Sequence, residues 1–174
     1  MFCGVTHRLD RPVGGLVVFA KTSKALSRMN EMFREGKVNK TYWAITKECP
    51  SKEEDTLIHY ITTVERNNKS YASLTEKKGS LKSILKYRLL AKSDNYNLLE
   101  INLLTGRKHQ IRVQLSSIGC PIKGDLKYGA KRSNPDGSIS LLARRIQFVH
   151  PVSGNEIDVV APLPDDALWQ AFNK

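Results

Sequence analysis

Apolar and polar residues alternate over most of this chain, and the alternation gives way to a helical period in only two segments. Alternating runs occupy residues 58–64, 83–91 and 96–104. Turn-forming pairs, Asn67-Asn68 and Asp94-Asn95, separate these runs, so the last two predict a β-hairpin. Further strands are predicted at 40–46, 141–149 and 157–160. A chain with this pattern folds around a largely antiparallel sheet.

The two helical segments fix the fold class. The first follows Leu16 to Phe19, a β-branched and aromatic run that predicts a buried strand, and it begins near Thr22 and ends at Gly36. The second is predicted over 108–118. Its apolar face is formed by Ile111, Leu115 and Ile118. The sequence therefore predicts one α+β domain over residues 1–174, a mainly antiparallel mixed sheet flanked by a few helices and loops.

The charge of the chain points to a polyanionic partner. Its 174 residues include 28 Lys and Arg against 17 Asp and Glu, a net charge of +11. RNA, DNA or an acidic membrane surface attracts such a protein. No apolar run approaches the roughly 20 residues of a membrane-spanning helix, and no signal peptide is visible, so we expect a cytoplasmic protein. The three cysteines and four histidines lack metal-ligand spacing, and no metal is expected.

Asp10 is the first candidate for chemistry. It lies between Arg8 and Arg11 in His7-Arg8-Leu9-Asp10-Arg11-Pro12. The flanking cations favour its ionised form, which suits a nucleophile or an electrostatic role better than a proton donor. A surface loop in which Asp10 only neutralises its neighbours is the alternative, and spacing alone leaves both open.

The segment from Thr105 to Arg112 is the second candidate. Backbone N–H groups at a helix start, beside Arg107 and Lys108, make a plausible phosphate seat. Arg112 lies on the flank of the apolar face, so we expect a partly buried guanidinium that needs a carboxylate partner. The alternative is an arginine whose head reaches solvent.

The third candidate is Tyr42 in the predicted strand at 40–46. Alternation puts Tyr42 and Ala44 on one face of the strand and Thr41 and Trp43 on the other. An aromatic ring beside a basic residue such as Lys40 can stack on a nucleic acid base, although a strand tyrosine can equally belong to the core.

Several motifs follow one another in a fixed order. They are His7-Arg8-Leu9-Asp10-Arg11-Pro12, Lys40-Thr41-Tyr42-Trp43-Ala44, Gly106-Arg107-Lys108-His109-Gln110-Ile111-Arg112, Gly124-Asp125 with Tyr128-Gly129, and His150-Pro151 with Gly154. In this order they closely resemble the RluA-type pseudouridine synthases. The resemblance covers nearly the whole chain and implies the catalytic domain of that family.

The resemblance also implies roles for individual residues. Asp10 matches the catalytic aspartate, Tyr42 the tyrosine that packs against the target base, and Arg112 the basic residue that pairs with the aspartate. The implied reaction is a cofactor-free isomerisation of a specific uridine to pseudouridine in ribosomal or transfer RNA, with the uridine flipped out of its helix. Whether the aspartate attacks or deprotonates the sugar stays open.

RNA is the expected partner, and the chain is expected to be a monomer without a metal or membrane contact. Basic residues around the pocket would hold the phosphates. The candidates for this RNA binding are Arg8, Arg11, Lys40, Arg107, Lys108 and His109.

The chain departs from the family before its first motif. Family members carry several tens of residues ahead of the aspartate, with strands and a Lys-Pro turn, and many have a small N-terminal RNA-binding domain; here the motif begins at His7. We therefore expect a catalytic domain that is N-terminally incomplete relative to the family and has no separate accessory domain. The alternative function is a catalytically weak RNA-binding module of the same fold. A glycoside hydrolase is disfavoured because only Asp10 has a suitable motif, and that chemistry needs two carboxylates.

Overall fold

Ten strands and three α-helices form within residues 2–172, the part of the chain that this computed structural model describes. The strands are β1 (Gly4–Val5), β2 (Gly14–Gly15), β3 (Phe19–Ala20), β4 (Asn39–Thr46), β5 (Glu54–Val64), β6 (Lys69–Ser73), β7 (Leu81–Lys92), β8 (Asn97–Leu103), β9 (Leu141–Val149) and β10 (Glu156–Val160). The helices are α1 (Ser23–Arg34), α2 (Gln110–Ser117) and α3 (Ala167–Ala171), with short 3-10 helices at Glu65–Asn67 and Leu126–Tyr128. None of the helices in this part of the chain is long and apolar enough to cross a membrane.

Eight of these strands form one sheet. Their spatial order is β10-β9-β4-β8-β7-β5-β6, and β2 adds to β9. Every pair in the sheet is antiparallel except β2 with β9, which is parallel. β1 and β3 pair separately as a two-stranded ribbon. The predicted α+β fold with a mainly antiparallel mixed sheet is therefore confirmed, and so is the predicted hairpin, which is β7 with β8.

α1 forms where the apolar period predicts it. The hydroxyl of Thr22 accepts a hydrogen bond of 3.1 Å from the amide of Ala25, which satisfies one of the amides left free at a helix start. Met29 and Met32 are buried and pack in one cluster with Ile146 of β9. The amphipathic face thus attaches α1 to the sheet.

All residues of α2 from 110 to 115 are buried. The helix is therefore covered by protein beyond the apolar face that the sequence predicts. Its polar side chains bond to neighbouring strands. Gln110 Nε2 donates to the carbonyl of Ile84 in β7 (3.1 Å), and Gln114 Nε2 donates to the carbonyl of Leu57 in β5 (3.2 Å). These bonds fix α2 against the sheet and offset part of the cost of burying the amide groups, while Gln114 Oε1 has no hydrogen-bond partner among residues 2–172.

The predicted buried strand at Leu16 to Phe19 is wrong. Only Gly14–Gly15 and Phe19–Ala20 make ladder pairs, and Phe19 is 53% exposed. β2 occupies the edge of β9 at residues 142–143, and β10 takes the same edge from residue 145 onward. The amide of Leu16 still donates to the carbonyl of Ala143 (3.0 Å), but β10 holds the edge from residue 145 onward, so residues 17–18 have no ladder partner on β9.

β4 separates its side chains as the alternation predicts. Tyr42 and Ala44 belong to the core on the side of α2, where they share a cluster with Ile111 and Leu115. Trp43 lies on the opposite side of the sheet, in a cluster with Trp169 of α3. Tyr42 is therefore presented on the same face of the sheet as α2.

We expect Gly15 to be essential for the pairing of β2 with β9. Its φ is +115°, and a Cβ there would lie 2.4 Å from the carbonyl oxygen of Ala143. Gly15→Ala should lower the free energy of unfolding, measured by urea denaturation, by about 1–3 kcal/mol. Gly14→Ala is the control because its Cβ would meet open space, and we expect a change within about 0.5 kcal/mol. Equal losses of unfolding free energy in the two variants would contradict the close approach of Gly15 to Ala143.

Candidate active site

Asp10 lies in the loop between β1 and β2, at the edge of a cavity of about 240 Å³. The loop is held on both sides of the aspartate. Leu9 and Val13 pack against the core cluster that contains Tyr42. After the aspartate, the carbonyl of Pro12 accepts a hydrogen bond of 3.0 Å from the amide of Ile139. The Asp10 side chain keeps 27% of its surface exposed, so it is anchored yet open to the cavity.

Asp10, Tyr42 and Arg112 line the same cavity, although they come from a loop, a strand and a helix. The Asp10 Oδ2 atom lies 3.3 Å from Arg112 Nη1 and 3.9 Å from His109 Nε2. The fold thus brings together the three residues that the sequence selects for catalysis.

Arg112 has a second and closer carboxylate partner, Asp125. Arg112 Nε and Nη2 donate to the two oxygens of Asp125 at 2.7 and 2.8 Å, in a forked pair. Burial alone would lower the pKa of Arg112, but the hydrogen bonds and charge of Asp125, together with Asp10, raise that pKa above its usual value. The expected contact between Arg112 and Asp10 is therefore present, but at 3.3 Å it is longer than the two bonds that Arg112 donates to Asp125. Sequence reasoning missed Asp125, although the motif Gly124-Asp125 contained it.

Tyr42 contributes its ring to the cavity and is 8% exposed. Burial, and to a smaller extent the charge of Asp10, raise the pKa of the Tyr42 hydroxyl to about 12. The phenol therefore keeps its proton at neutral pH. A neutral, largely buried ring at a cavity wall can pack against a flat heterocycle but is a poor proton acceptor.

Lys40 and His7 also line the cavity. Burial lowers the pKa of Lys40, whose Nζ lies 5.5 Å from the centre of the Phe33 ring. His7 Nε2 accepts a hydrogen bond of 3.1 Å from the amide of Val18. Burial and then the charge of Lys40 lower the pKa of His7 to about 4, so this imidazole is neutral. Lys40 is thus one of the cations that line the cavity, together with Arg8, Arg107 and Arg112, and it can meet a phosphate there.

His109 is 8% exposed and lines both the cavity and the depression next to it, and its expected contact with RNA stays a prediction. Its Nδ1 is 2.7 Å from the hydroxyl of Tyr128, and its Nε2 faces Asp10. Burial, with the charges of Arg112, Lys127 and Lys108, lowers the pKa of His109 against the opposing influence of Asp10. A neutral imidazole whose nitrogens face Tyr128 and Asp10 offers no positive charge to a phosphate.

The remaining basic candidates border a shallow depression of about 410 Å³ next to Asp10. They are Arg8, Arg11, Arg107 and Lys108. Lys108 also forms an ion pair with Glu65 at 3.2 Å. The predicted phosphate seat on the backbone is partly filled, because the amide of Arg107 donates to Gln110 Oε1 at 2.9 Å. Phosphate binding in this depression would therefore rely on side chains.

Comparisons with known proteins agree on one family. A family model described as RNA pseudouridylate synthase matches residues 2–117. The chain is 32% identical to ribosomal large subunit pseudouridine synthase D of Zymomonas mobilis, over 94% of this chain and 53% of that protein. It is also 32% identical to tRNA pseudouridine synthase C of Vibrio parahaemolyticus, over 97% of this chain and 74% of that protein.

A solved structure of human RNA pseudouridylate synthase domain containing 4 superposes with a TM-score of 0.79 at 26% identity. The match covers 96% of this chain and 74% of the human chain. The chain spans about half the length of several curated relatives that it matches.

Asp125→Asn should destabilise the protein strongly. The variant leaves the buried Arg112 without its main counter-charge, and removing one partner of a buried pair typically costs about 3–5 kcal/mol of unfolding free energy. Asp158→Asn is a matched control, since Asp158 also bonds an arginine, Arg145, through both oxygens but on the exposed surface. We expect a much smaller loss for that variant in urea denaturation. Equal losses would show that burial adds nothing to the Arg112–Asp125 pair.

Proposed function

We propose, because the chain belongs to the RNA pseudouridylate synthase family, that it isomerises uridine to pseudouridine in RNA. The observation that carries the proposal is the convergence of Asp10, Tyr42 and Arg112 on one cavity. This arrangement offers a carboxylate, a neutral aromatic ring and a permanent cation within one small volume. Family membership supports the reaction type, and the cavity supports the assignment of the residues.

The reaction requires one group that acts on the ribose. The N1–C1′ bond breaks, the uracil turns, and C5 joins C1′; the C5 proton then leaves to solvent while N1 gains one. Asp10 is suited to this step because its Oδ2 atom is engaged by Arg112, whereas Oδ1 accepts no hydrogen bond from residues 2–172. Attack at C1′ and removal of a ribose proton both use that free oxygen.

Tyr42 and Arg112 hold the reacting groups in place. The Tyr42 ring packs against the uracil while it is detached, and the high pKa of its hydroxyl prevents the phenol from acting as a base near neutral pH. Arg112 keeps the Asp10 carboxylate in one orientation because its own guanidinium is fixed by Asp125. Positioning of this kind supplies a large part of the rate in a reaction that uses no cofactor.

The target uridine has to leave its helix to reach the cavity, because stacked bases shield the glycosidic bond. Arg8, Arg11, Arg107 and Lys108 surround the mouth and would bind the flanking phosphates. The net charge of +11 favours such binding and makes it dependent on salt. Relatives are named for large-subunit ribosomal RNA and for transfer RNA, so we propose one of these two classes as the substrate, met in the cytoplasm.

Asp10→Asn should abolish pseudouridine formation while RNA binding is retained. The amide keeps the shape of the carboxylate but is neither a nucleophile nor a base. The measurement is tritium release from unmodified transfer RNAs and large-subunit ribosomal RNA fragments labelled at C5 of uridine. Asp136→Asn, on the exposed loop before β9, should release tritium as the wild-type chain does.

Undiminished turnover by Asp10→Asn would remove Asp10 from its proposed role. RNA binding by the wild-type chain without tritium release from any of these RNAs would instead favour the RNA-binding module. Carbodiimide labelling of the incubated RNA would confirm either result by locating pseudouridine or its absence.

A further inference from the structure

Tyr128 connects the backbone of β6 with His109, beneath Asp10. Its hydroxyl oxygen lies 2.8 Å from the amide nitrogen of Ser70 and 2.7 Å from Nδ1 of His109. Tyr128 is 4% exposed, so both bonds are shielded from water. The Ser70 amide, the Tyr128 hydroxyl and the His109 ring are thus linked by two hydrogen bonds in series, and the ring faces Asp10.

The direction of these two hydrogen bonds follows from which of the groups can donate. The Ser70 amide can only donate, so the Tyr128 oxygen accepts from it. Among residues 2–172 the hydroxyl also meets His109 Nδ1 and the side chain of Ser70. The tautomer is set at the other ring nitrogen, because His109 Nε2 faces the Asp10 carboxylate at 3.9 Å and a proton is favoured there over a lone pair. The single proton of the neutral His109 ring therefore resides on Nε2. Nδ1 is then the unprotonated nitrogen, and the hydroxyl donates to it.

That proton points at Asp10. His109 Nε2 lies 3.9 Å from Asp10 Oδ2, the same oxygen that faces Arg112 Nη1. Arg112 and His109 thus both come closest to Oδ2, and Oδ1 accepts no hydrogen bond from residues 2–172. The separation exceeds a direct hydrogen bond, and contacts of this kind commonly shorten when substrate binds.

We propose that His109 is a positioning residue for Asp10, with its Nε2–H directed at Oδ2 by the Tyr128 hydroxyl, so that Oδ1 is presented to the ribose. The inference rests on the proposed function for its kinetic consequence, but the proton position is a property of the free protein.

The backbone and the surroundings of Tyr128 support this role. His109 has a left-handed φ of +55° at the start of α2, an uncommon conformation for a residue other than glycine and one often found at functional sites. The Arg112 guanidinium lies 4.9 Å from the centre of the Tyr128 ring. Tyr128 therefore contacts both groups that approach Asp10, one through its hydroxyl and the other through its ring face.

The charged groups that face His109 are Asp10, Arg112, Lys108 and Lys127. Three of the four are cations, and they disfavour a second proton on the ring. A doubly protonated ring would also carry a hydrogen on Nδ1 and could not accept from Tyr128. The neutral form with the proton on Nε2 is therefore the form that the surroundings support.

The position of the proton can be measured directly. We would label the four histidines with ¹⁵N and record long-range proton–nitrogen correlations of the free protein near neutral pH, identifying the His109 signals by their loss in His109→Gln. We expect His109 to carry its proton on Nε2 in the wild-type chain. In Tyr128→Phe the Nδ1 acceptor loses its donor, so the spectrum should shift toward the other tautomer, while the signals of His59 stay unchanged.

The kinetic arm uses Tyr128→Phe, which keeps the ring against Arg112 and removes only the hydroxyl. We expect kcat for pseudouridine formation to fall on the order of 10- to 100-fold, the effect of a small misplacement of a reacting group, while KM stays unchanged. Tyr71→Phe is the matched control. It also removes a hydroxyl that is hydrogen-bonded, to Asn67, but its residue is exposed on β6, and we expect wild-type kcat.

A proton on Nδ1 in the wild-type chain would overturn the inference, whatever the activity. So would a Tyr128→Phe enzyme with the kcat of Tyr71→Phe. If Tyr128→Phe fails to fold, the position of the His109 proton measured in the wild-type chain still tests the inference. A wild-type chain that shows the Nε2 proton but no activity would count against the proposed function and not against the position of His109.

Discussion

The forked ion pair between Arg112 and Asp125 is the interaction on which the site depends. Arg112 is 5% exposed and Asp125 1%, so neither charge could be buried without the other. Two nitrogens of the guanidinium are used by Asp125, and Nη1 is left to face Asp10. The orientation of Asp10 is therefore set by a cation whose own orientation is fixed deeper in the protein.

This pair also joins parts of the chain that are far apart in sequence. α2 supplies Arg112, the segment before the 3-10 helix at Leu126–Tyr128 supplies Asp125, and the loop between β1 and β2 supplies Asp10. The sheet serves as the frame, because α2 bonds to β5 and β7 while β4 presents Tyr42 on the same face. The cavity exists only where these elements meet, so its chemistry is a consequence of the tertiary structure.

Local patterns in the sequence predict those helices and strands in which apolar residues recur at regular spacing. α1, β4 and the hairpin of β7 with β8 follow from spacing and turn residues alone. The strand expected at Leu16 to Phe19 does not form, because its place depends on which strand takes the edge of β9, and no local pattern records that competition. Edge occupancy and burial are long-range properties.

The site was predictable to the same extent. Asp10, Tyr42 and Arg112 could be selected from motifs, and the need of Arg112 for a carboxylate followed from its place on α2. Asp125 and the burial of His109 were not predictable, since a sequence shows neither which of two carboxylates is nearer nor that a histidine beside basic residues turns inward.

The most direct test of the account is the single-turnover rate of Arg112→Lys on an RNA that the wild-type chain modifies. Lysine keeps the positive charge but presents one nitrogen, which cannot hold both oxygens of Asp125 and reach Asp10 at once. We predict a folded protein that binds RNA and forms pseudouridine at least about 100-fold more slowly, as expected for a misplaced reacting group. A rate equal to that of the wild-type chain would contradict the claim that the guanidinium fork orients Asp10.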